Sequence, residues 1–287
     1  MKLNCQIFDL NRSLYCGQVF RWTLEYDQWW YGVIQGYIVK IRQLKDEIEF
    51  ETFPKISNPY KFISKYFRFD DNLNYIYNQI SKDTVMKDAI RNAFGLRIIC
   101  QDPWECMISY LISQQNQIPK IKRSIETLSQ KFGTSLTFDG KIFYTFPTPE
   151  QLSKANLNEL QKGFNQGGCA LGYRAKYVLS SALLIINNSL NFCLEDLKNM
   201  PYDSAWKLLQ DSFCGIGPKV ADCILLFSMD KLEAFPLDTW IRKIILNLYL
   251  KKTVNDQKIR EFCSEYFGKF AGYAQEYLYS NRIHLCQ

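Results

Sequence analysis

The sequence predicts an α+β protein: an N-terminal antiparallel β-domain followed by a mostly helical body that contains a helix-hairpin-helix motif. Three observations carry that expectation. Residues 6–53 run in short stretches rich in aromatic and β-branched side chains, separated by Gly, Asp and Lys-Asp turns, which is a strand pattern. From Pro59 onward the apolar period lengthens to that of capped helices. Near residues 204–229, two helical stretches meet at Cys214-Gly215-Ile216-Gly217, a connection short enough to be a hairpin. The expected division is a β-rich domain with flanking helices over 1–95 and a helical body over 96–287.

The strands are expected in "YCGQVFRW", "QWWYGVIQG", "YIVKIRQL" and "EIEFETF". Helices follow in "NPYKFISKYF", "LNYIYNQISKD" and "TVMKDAIRNAF", then in a long stretch from Asp102 to Gly133 that breaks near Gln117 and Pro119. "TPEQLSKAN" and "NLNELQKG" are short capped helices. "YRAKYVLSSALLIINN", "DSAWKLLQDSF", "PKVADCILLFSM" and "DTWIRKIILNLYL" are longer, and two more, around "DQKIREFCSEYFG" and "AGYAQEYLYSNRI", close the chain. No repeat or low-complexity linker interrupts the pattern.

Composition narrows the function classes. A 47% hydrophobic and 15% aromatic chain fills a core and is not a disordered tail. A formal charge of +6 suits nucleic acid without requiring it. The ten cysteines include no C-x-x-C pair and the one histidine is His284, which argues against a zinc site. The opening "MKLNCQIFDLNR" lacks a signal peptide's apolar stretch, and no run approaches the ~20 apolar residues of a spanning helix. Reduced thiols and a cytoplasmic location, nucleoid-associated in a prokaryote and not secreted, are the expectation. With one histidine, catalysis would fall to lysine, carboxylate or cysteine.

The hairpin "FCGIGPKVADCILLFSM" (213–229) places Lys219 in the first turn of a helix, where the positive end of the dipole disfavours an ammonium group. Gly215 and Gly217 allow a tight turn with exposed N–H groups, Pro218 suits the first helical position, and Ile216 can tuck inward. Such a turn forms a phosphate-sized nest, although an ordinary connection between two bundle helices has the same pattern. Nineteen positions beyond Lys219, "FPLDTW" sets Asp238 at the N-cap of the next helix, and capping alone would account for it.

A hairpin lysine followed at this distance by a Pro-x-Asp cap resembles the helix-hairpin-helix Gly/Pro-Asp DNA glycosylases. The resemblance implies that Lys219 is the nucleophile and Asp238 the essential carboxylate. A helix N-terminus and a partly apolar pocket both penalise the ammonium form, so the amine is suited to attack the anomeric carbon of a nucleotide. Asp238 would stabilise the cationic sugar as the base departs. An iron–sulfur cluster of the type some members carry is excluded on ligand count, since only Cys263 and Cys286 follow Asp238.

Over essentially the whole chain the sequence is similar to the 8-oxoguanine DNA glycosylases. "CGQVFRW" (16–22) resembles the family strand that presents a glycine carbonyl, here Gly17, to the N7 hydrogen found in 8-oxoguanine and absent from guanine. "GYAQEYLY" (272–279) resembles the closing helix, which implies that Gln275 reads the pairing edge and that Tyr279, one turn on, stacks on the base. Cys223, four residues after Lys219, would form the opposite wall; alone it reads as a small buried residue. "ISQQNQIPKIKR" (112–123) resembles the turn that fills the gap left by an extruded nucleotide, with Asn116 inserting into the stack. "LGYRAKYV" (171–178) would supply Tyr173 as a wedge and Arg174 toward the estranged base.

Three positions depart from the animal members. Gln115 stands where an asparagine contacts the partner cytosine, Lys120 replaces an arginine, and Trp240 replaces a histidine that supports the phosphate. The reading is therefore a base-excision repair glycosylase acting on 8-oxoguanine in double-stranded DNA through a lysine Schiff base, with an associated lyase step. No cofactor, membrane or obligate protein partner is expected, although the family leaves room for an alkali-metal ion on the hairpin carbonyls. The alternatives are a glycosylase of the same fold for another damaged base, and a non-catalytic DNA-binding protein.

Overall fold

The computed structural model describes residues 1–187 and 189–286. Strands β1 (Lys2–Asn4), β2 (Trp22–Leu24), β3 (Trp30–Ile34), β4 (Tyr37–Leu44) and β5 (Glu47–Phe53) form an antiparallel sheet in the order β1-β5-β4-β3-β2. Ile34 pairs with Tyr37 across Gln35-Gly36, both at positive φ (49° and 82°), the conformation of a tight hairpin turn that matches strand twist. Helices α1 (Leu10–Tyr15) and α2 (Pro59–Tyr66) pack on the sheet, and Leu10, Leu14, Trp30, Ile41, Phe50 and Ile63 form its core.

The expectation of a strand over "YCGQVFRW" is corrected. Only Trp22 of that stretch enters the sheet. Residues 16–21 form a loop after α1, which Asp9 caps by accepting the Arg12 N–H at 2.8 Å. Side-chain bonds replace the missing ladder. The buried Gln18 amide donates to the carbonyls of Ser13 (2.9 Å) and Arg97 (2.8 Å) and accepts from the Ile99 N–H (2.8 Å). The segment that carries Gly17 is thereby tied to the body of the protein.

The body comprises α3 (Leu73–Ile80), α4 (Thr84–Asn92), α5 (Pro103–Ser113), α6 (Ile118–Phe132), α7 (Pro149–Ser153), α8 (Leu157–Gln161), α9 (Arg174–Ile186), α10 (Tyr202–Ser212), α11 (Pro218–Ser228), α12 (Thr239–Ile244), α13 (Asp256–Phe267), α14 (Ala271–Ser280) and α15 (Arg282–Leu285). A hairpin absent from the sequence reading, β6 (Ser135–Phe138) with β7 (Lys141–Tyr144), turns at Asp139-Gly140, both at positive φ (55° and 70°). The stretch "DTWIRKIILNLYL" begins as α12 and widens into a π-type turn over Ile245–Leu250. No helix of the described residues is long and apolar enough to cross a membrane.

Burial identifies the elements that hold the site rigid. Residues 106–112 of α5, 220–228 of α11 and 271–278 of α14 are all buried, and α5 packs against α11 while α14 packs against α4. Helices α3 and α4 precede residue 95 yet place Leu73, Ile76, Ile80, Met86 and Ile90 in this larger helical core. Asp222, fully buried on α11, accepts from the Tyr202 hydroxyl at 2.6 Å and pairs with Arg260 of α13. Burial pushes its carboxyl up to about 6 against the opposing pull of Arg260, and the cluster locks the hairpin helices to α13.

Candidate active site

One cleft of about 600 Å³ collects most of the residues the sequence singles out. Lys219 and Cys223 reach it from α11, Asp238 and Trp240 from the start of α12, and Gln275 and Tyr279 from α14. Gly17 closes one side, and Gln115 and Asn116 enter from the α5–α6 turn.

Lys219 lies in the first turn of α11, and its Nζ stands 5.2 Å from the centroid of the Tyr110 ring. That ring is stacked on Phe227 with centroids 5.5 Å apart, and its hydroxyl donates to the Gln18 carbonyl at 3.2 Å, so the surface beneath the amine is fixed. Burial pushes the Cys223 thiol up to about 12 although the nearby Lys219 charge opposes it. Cys223 is thus a neutral apolar wall and not a second nucleophile. Asp238 caps α12 by accepting the Ile241 N–H at 2.8 Å. Burial raises the Asp238 carboxyl, while the Ile241 N–H, Lys219, the Trp240 N–H and Arg282 pull the other way. The capping role and a charge facing Lys219 coexist in one side chain.

The part of the cleft formed by Gly17, Gln275 and Tyr279 has its own geometry. Gly17 sits at φ 109°, a conformation that side chains disfavour, and a Cβ there would point at Tyr279 Cε1, 3.5 Å away. Its carbonyl accepts no hydrogen bond among the described residues. Gln275 is 4% exposed and its Oε1 has no partner among the described residues, a costly arrangement unless a ligand supplies a donor. The guanidinium of Arg282 lies 4.1 Å from the Tyr279 ring centroid and Nη1 donates to the Tyr279 carbonyl at 2.8 Å. The tyrosine is therefore held as a platform.

The hairpin departs from its sequence reading at one glycine. Gly215 does need its φ of 86°, and a Cβ there would lie 2.5 Å from the Tyr177 ring. Gly217 has φ −98° and ψ −177°, extended backbone that any residue adopts, and a Cβ would meet open space. What its lack of a side chain provides is access to the N-terminus of α11, which has no side-chain cap. Ile216 is 5% exposed and anchors the turn. The carbonyls of Cys214 and Ile216 accept no hydrogen bond among the described residues, which suits them to an alkali-metal ion.

The remaining residues lie outside the cleft. Tyr173 is exposed at the start of α9, and Lys120 is exposed in the first turn of α6. Arg174 is 7% exposed, its guanidinium committed to the carbonyls of Gln114 (2.7 Å from Nε) and Gln115 (3.0 Å from Nη2). It braces the α5–α6 turn, and reaching an estranged base would cost these bonds. Within that turn Gln115 adopts φ 46°, and the Asn116 amide folds back onto the Ile112 carbonyl at 3.3 Å. Gln114, which the sequence reading passes over, donates to the Gly215 carbonyl at 3.1 Å and couples the turn to the hairpin. Glu276 and Tyr110 also line the cleft without having been anticipated. Glu276 was hidden by its helical neighbours, since a carboxylate beside Gln275 reads as a solvated face.

Comparison with known proteins places this arrangement. Residues 108–269 match the HhH-GPD superfamily of base excision DNA repair proteins, and residues 1–107 match the N-terminal domain of 8-oxoguanine DNA glycosylases. The chain belongs to the HhH-GPD superfamily, in the branch that carries the 8-oxoguanine DNA glycosylase N-terminal domain. It is 34% identical to a probable N-glycosylase/DNA lyase of Methanothermobacter thermautotrophicus over 70% of this chain and 67% of that one. It is 27% identical to the N-glycosylase/DNA lyase of Saccharomyces cerevisiae over 96% of this chain and 83% of that one. The Clostridium acetobutylicum 8-oxoguanine glycosylase/lyase, solved with duplex DNA containing cytosine opposite 8-oxoguanine, aligns with a TM-score of 0.88 at 33% identity. That alignment covers 99% of this chain and 98% of the other.

Proposed function

We propose that this protein excises 8-oxoguanine from double-stranded DNA and then cleaves the strand, with Lys219 as nucleophile and Asp238 as the carboxylate that stabilises the sugar. The observation that carries this reading is the convergence of Lys219 and Asp238 on a cleft whose far wall holds the free Gly17 carbonyl and the unpartnered Gln275 Oε1.

The chemistry follows from the placement. The lysine nitrogen bonds to the sugar's anomeric carbon as the glycosidic bond breaks, and the base leaves with the electron pair and takes up a proton. Asp238 offsets the positive charge that develops on the sugar between these events. The nitrogen then loses a proton and the sugar's C1′–O4′ bond breaks, with O4′ taking up a proton, and the resulting protonated imine makes the neighbouring C2′ proton acidic. Its removal expels the 3′ phosphate by β-elimination, and water then releases Lys219. The uncapped N–H groups of α11 would hold a backbone phosphate, and an alkali-metal ion on the hairpin carbonyls would add positive charge there. Extruding the base costs a few kcal/mol, offset by Asn116 and Tyr173 at the duplex. A DNA substrate supports a location with the DNA, which in a prokaryotic cell is the cytoplasm at the nucleoid.

Base release from duplexes carrying 8-oxoguanine, guanine, or other damaged bases tests the substrate. Preferential release of 8-oxoguanine is expected; preference for an alkylated base would overturn the assignment. Gly17→Ala should cut 8-oxoguanine release at least about tenfold, because the φ of 109° costs about 1–3 kcal/mol for a residue with a side chain and relief of that strain would turn the carbonyl. Cleavage of a pre-formed abasic duplex, which needs no base recognition, serves as the reference rate. Equal losses on both substrates would remove Gly17 from lesion recognition.

Preference for the partner base should be broad. Arg174 is committed to loop carbonyls, and Lys120 offers a flexible point charge where a guanidinium would present a planar fork. A bidentate base contact is worth roughly 1–3 kcal/mol of discrimination, so its loss corresponds to about tenfold or more. Single-turnover rates opposite cytosine, adenine, guanine and thymine should therefore lie close together, and Lys120→Arg should favour cytosine. Strict cytosine selectivity in the wild type would contradict this.

A further inference from the structure

Beside Gln275, the cleft contains a second buried polar group for which the reaction above has no use. Glu276 is 2% exposed, lines the cleft, and its Oε1 has no partner among the described residues. A carboxyl group abandoned in this way costs more than almost any other buried polar group unless it is neutral or meets a ligand. Its position decides what that ligand would be. Glu276 follows Gln275 on α14 and lines the same cleft as Gly17, and its carboxyl group lies near the thiol of Cys16, the residue before Gly17. It is therefore a neighbour in the chain of the group assigned to the pairing edge and lies near the segment that carries the group assigned to N7. On 8-oxoguanine the atom between N7–H and N1–H is the 6-oxo oxygen, a pure acceptor.

We infer that Glu276 is a specificity-determining residue whose carboxyl group donates a hydrogen bond to the 6-oxo oxygen of the extruded base. The inference rests on the assignment of 8-oxoguanine as substrate. It adds a third recognition contact to those of Gly17 and Gln275, and it rejects purines that carry an amino group or hydrogen at C6, which would leave a buried donor unpaired. Donation requires the protonated acid, and the surroundings favour it. Burial pushes the Glu276 carboxyl up to about 7, with Asp238 adding in the same direction and the Cys16 thiol and Arg282 opposing. The other titratable groups facing it, the phenols of Tyr110 and Tyr279, are themselves raised by burial and stay neutral. A carboxyl raised in this way is a donor below about 7 and an anion facing the oxygen lone pairs above it, so the contact is lost as pH rises.

The test compares duplexes carrying 8-oxoguanine and its 6-deoxo analogue, 2-amino-8-oxopurine, each rate divided by that of the same preparation on an abasic duplex. Because the analogue also lacks the N1 hydrogen, the contact with Gln275 gives some preference for 8-oxoguanine at every pH; in the wild type that preference should be about tenfold larger at pH 6 than well above pH 7, the effect of one further hydrogen bond. Glu276→Ala should keep only the smaller, pH-independent preference. Glu276→Gln, whose amide donates without titrating, should keep the preference and lose its pH dependence. A full, pH-independent preference in Glu276→Ala would overturn the inference, as would a pH-dependent preference in Glu276→Gln. Failure of the underlying assignment looks different: the wild type would cleave the abasic duplex and release neither base.

Discussion

Lys219→Gln should lose base release and abasic-site cleavage together, each by on the order of 10³-fold or more, while still binding duplex DNA. The glutamine is one atom shorter and keeps a polar end, but its amide nitrogen has no lone pair able to form an imine. Among the described residues lining the cleft, none substitutes for the amine. Cys223 is fully buried and its thiol is pushed up to about 12, so it offers no thiolate, and the carboxyl groups of Glu276 and Asp238 have no nitrogen with which to form an imine. Glutamine keeps most of the aliphatic stem beside the Tyr110 ring, so folding should be little affected. Rates measured on the lesion duplex and the abasic duplex check both halves. Loss of one without the other would separate the glycosylase and lyase nucleophiles.

Asp238→Asn comes second, with excision down about 10²-fold or more, typical of removing a preorganised electrostatic partner. Asparagine caps a helix as well as aspartate, so the Ile241 N–H keeps its acceptor and the unfolding midpoint should barely move. The substitution thereby separates charge from cap. The pH profile gives a second check. Burial raises the Asp238 carboxyl above the ordinary range of aspartate, and the catalytic form is the ionised one. Excision should thus fall on the acid side at a higher pH than an exposed aspartate would give, and that limb should vanish in Asp238→Asn. Near-normal turnover in this variant would reduce Asp238 to a helix cap.

The sequence revealed what local chemistry dictates. Strands β4 and β5 coincide with "YIVKIRQL" and "EIEFETF", because alternation and the Lys45-Asp46 turn leave one register that buries Ile41, Ile48 and Phe50. The helices are equally legible, and Asn58, Asn72, Asp83, Asp102 and Thr148 all cap them by accepting from backbone N–H groups. Reading failed where tertiary bonds override composition. Residues 16–21 have strand-like side chains, yet the Gln18 amide ties the segment to the backbone of Ser13, Arg97 and Ile99 and no strand forms. α1 spans six residues, too few to display a helical period. The β6–β7 hairpin had its signal in Asp139-Gly140, between "SLTF" and "KIFY".

The site divides along similar lines. Lys219, Cys223, Asp238, Gln275 and Tyr279 were singled out by the resemblance of their motifs to those of the family, and helical spacing and a cap bring them to one cleft. The bonds that hold Arg174 and Gln114 were not legible, because their partners are carbonyls 60 and 101 residues away. Glu276 escaped notice because a glutamate on a helix is ordinarily solvated, and only the packing of α14 under the cleft makes it a buried, unpartnered acid.

The central claim is that the Lys219 amine becomes covalently bonded to the sugar from which the oxidised base has left. Trapping with borohydride on an 8-oxoguanine duplex, followed by mass analysis of the cross-linked peptide, tests it most directly. The account predicts that the nucleotide is attached to a peptide containing Pro218-Lys219-Val220, at the nitrogen of Lys219, and that Lys219→Gln yields no such adduct. Attachment at another residue, or an undiminished adduct in Lys219→Gln, would contradict it.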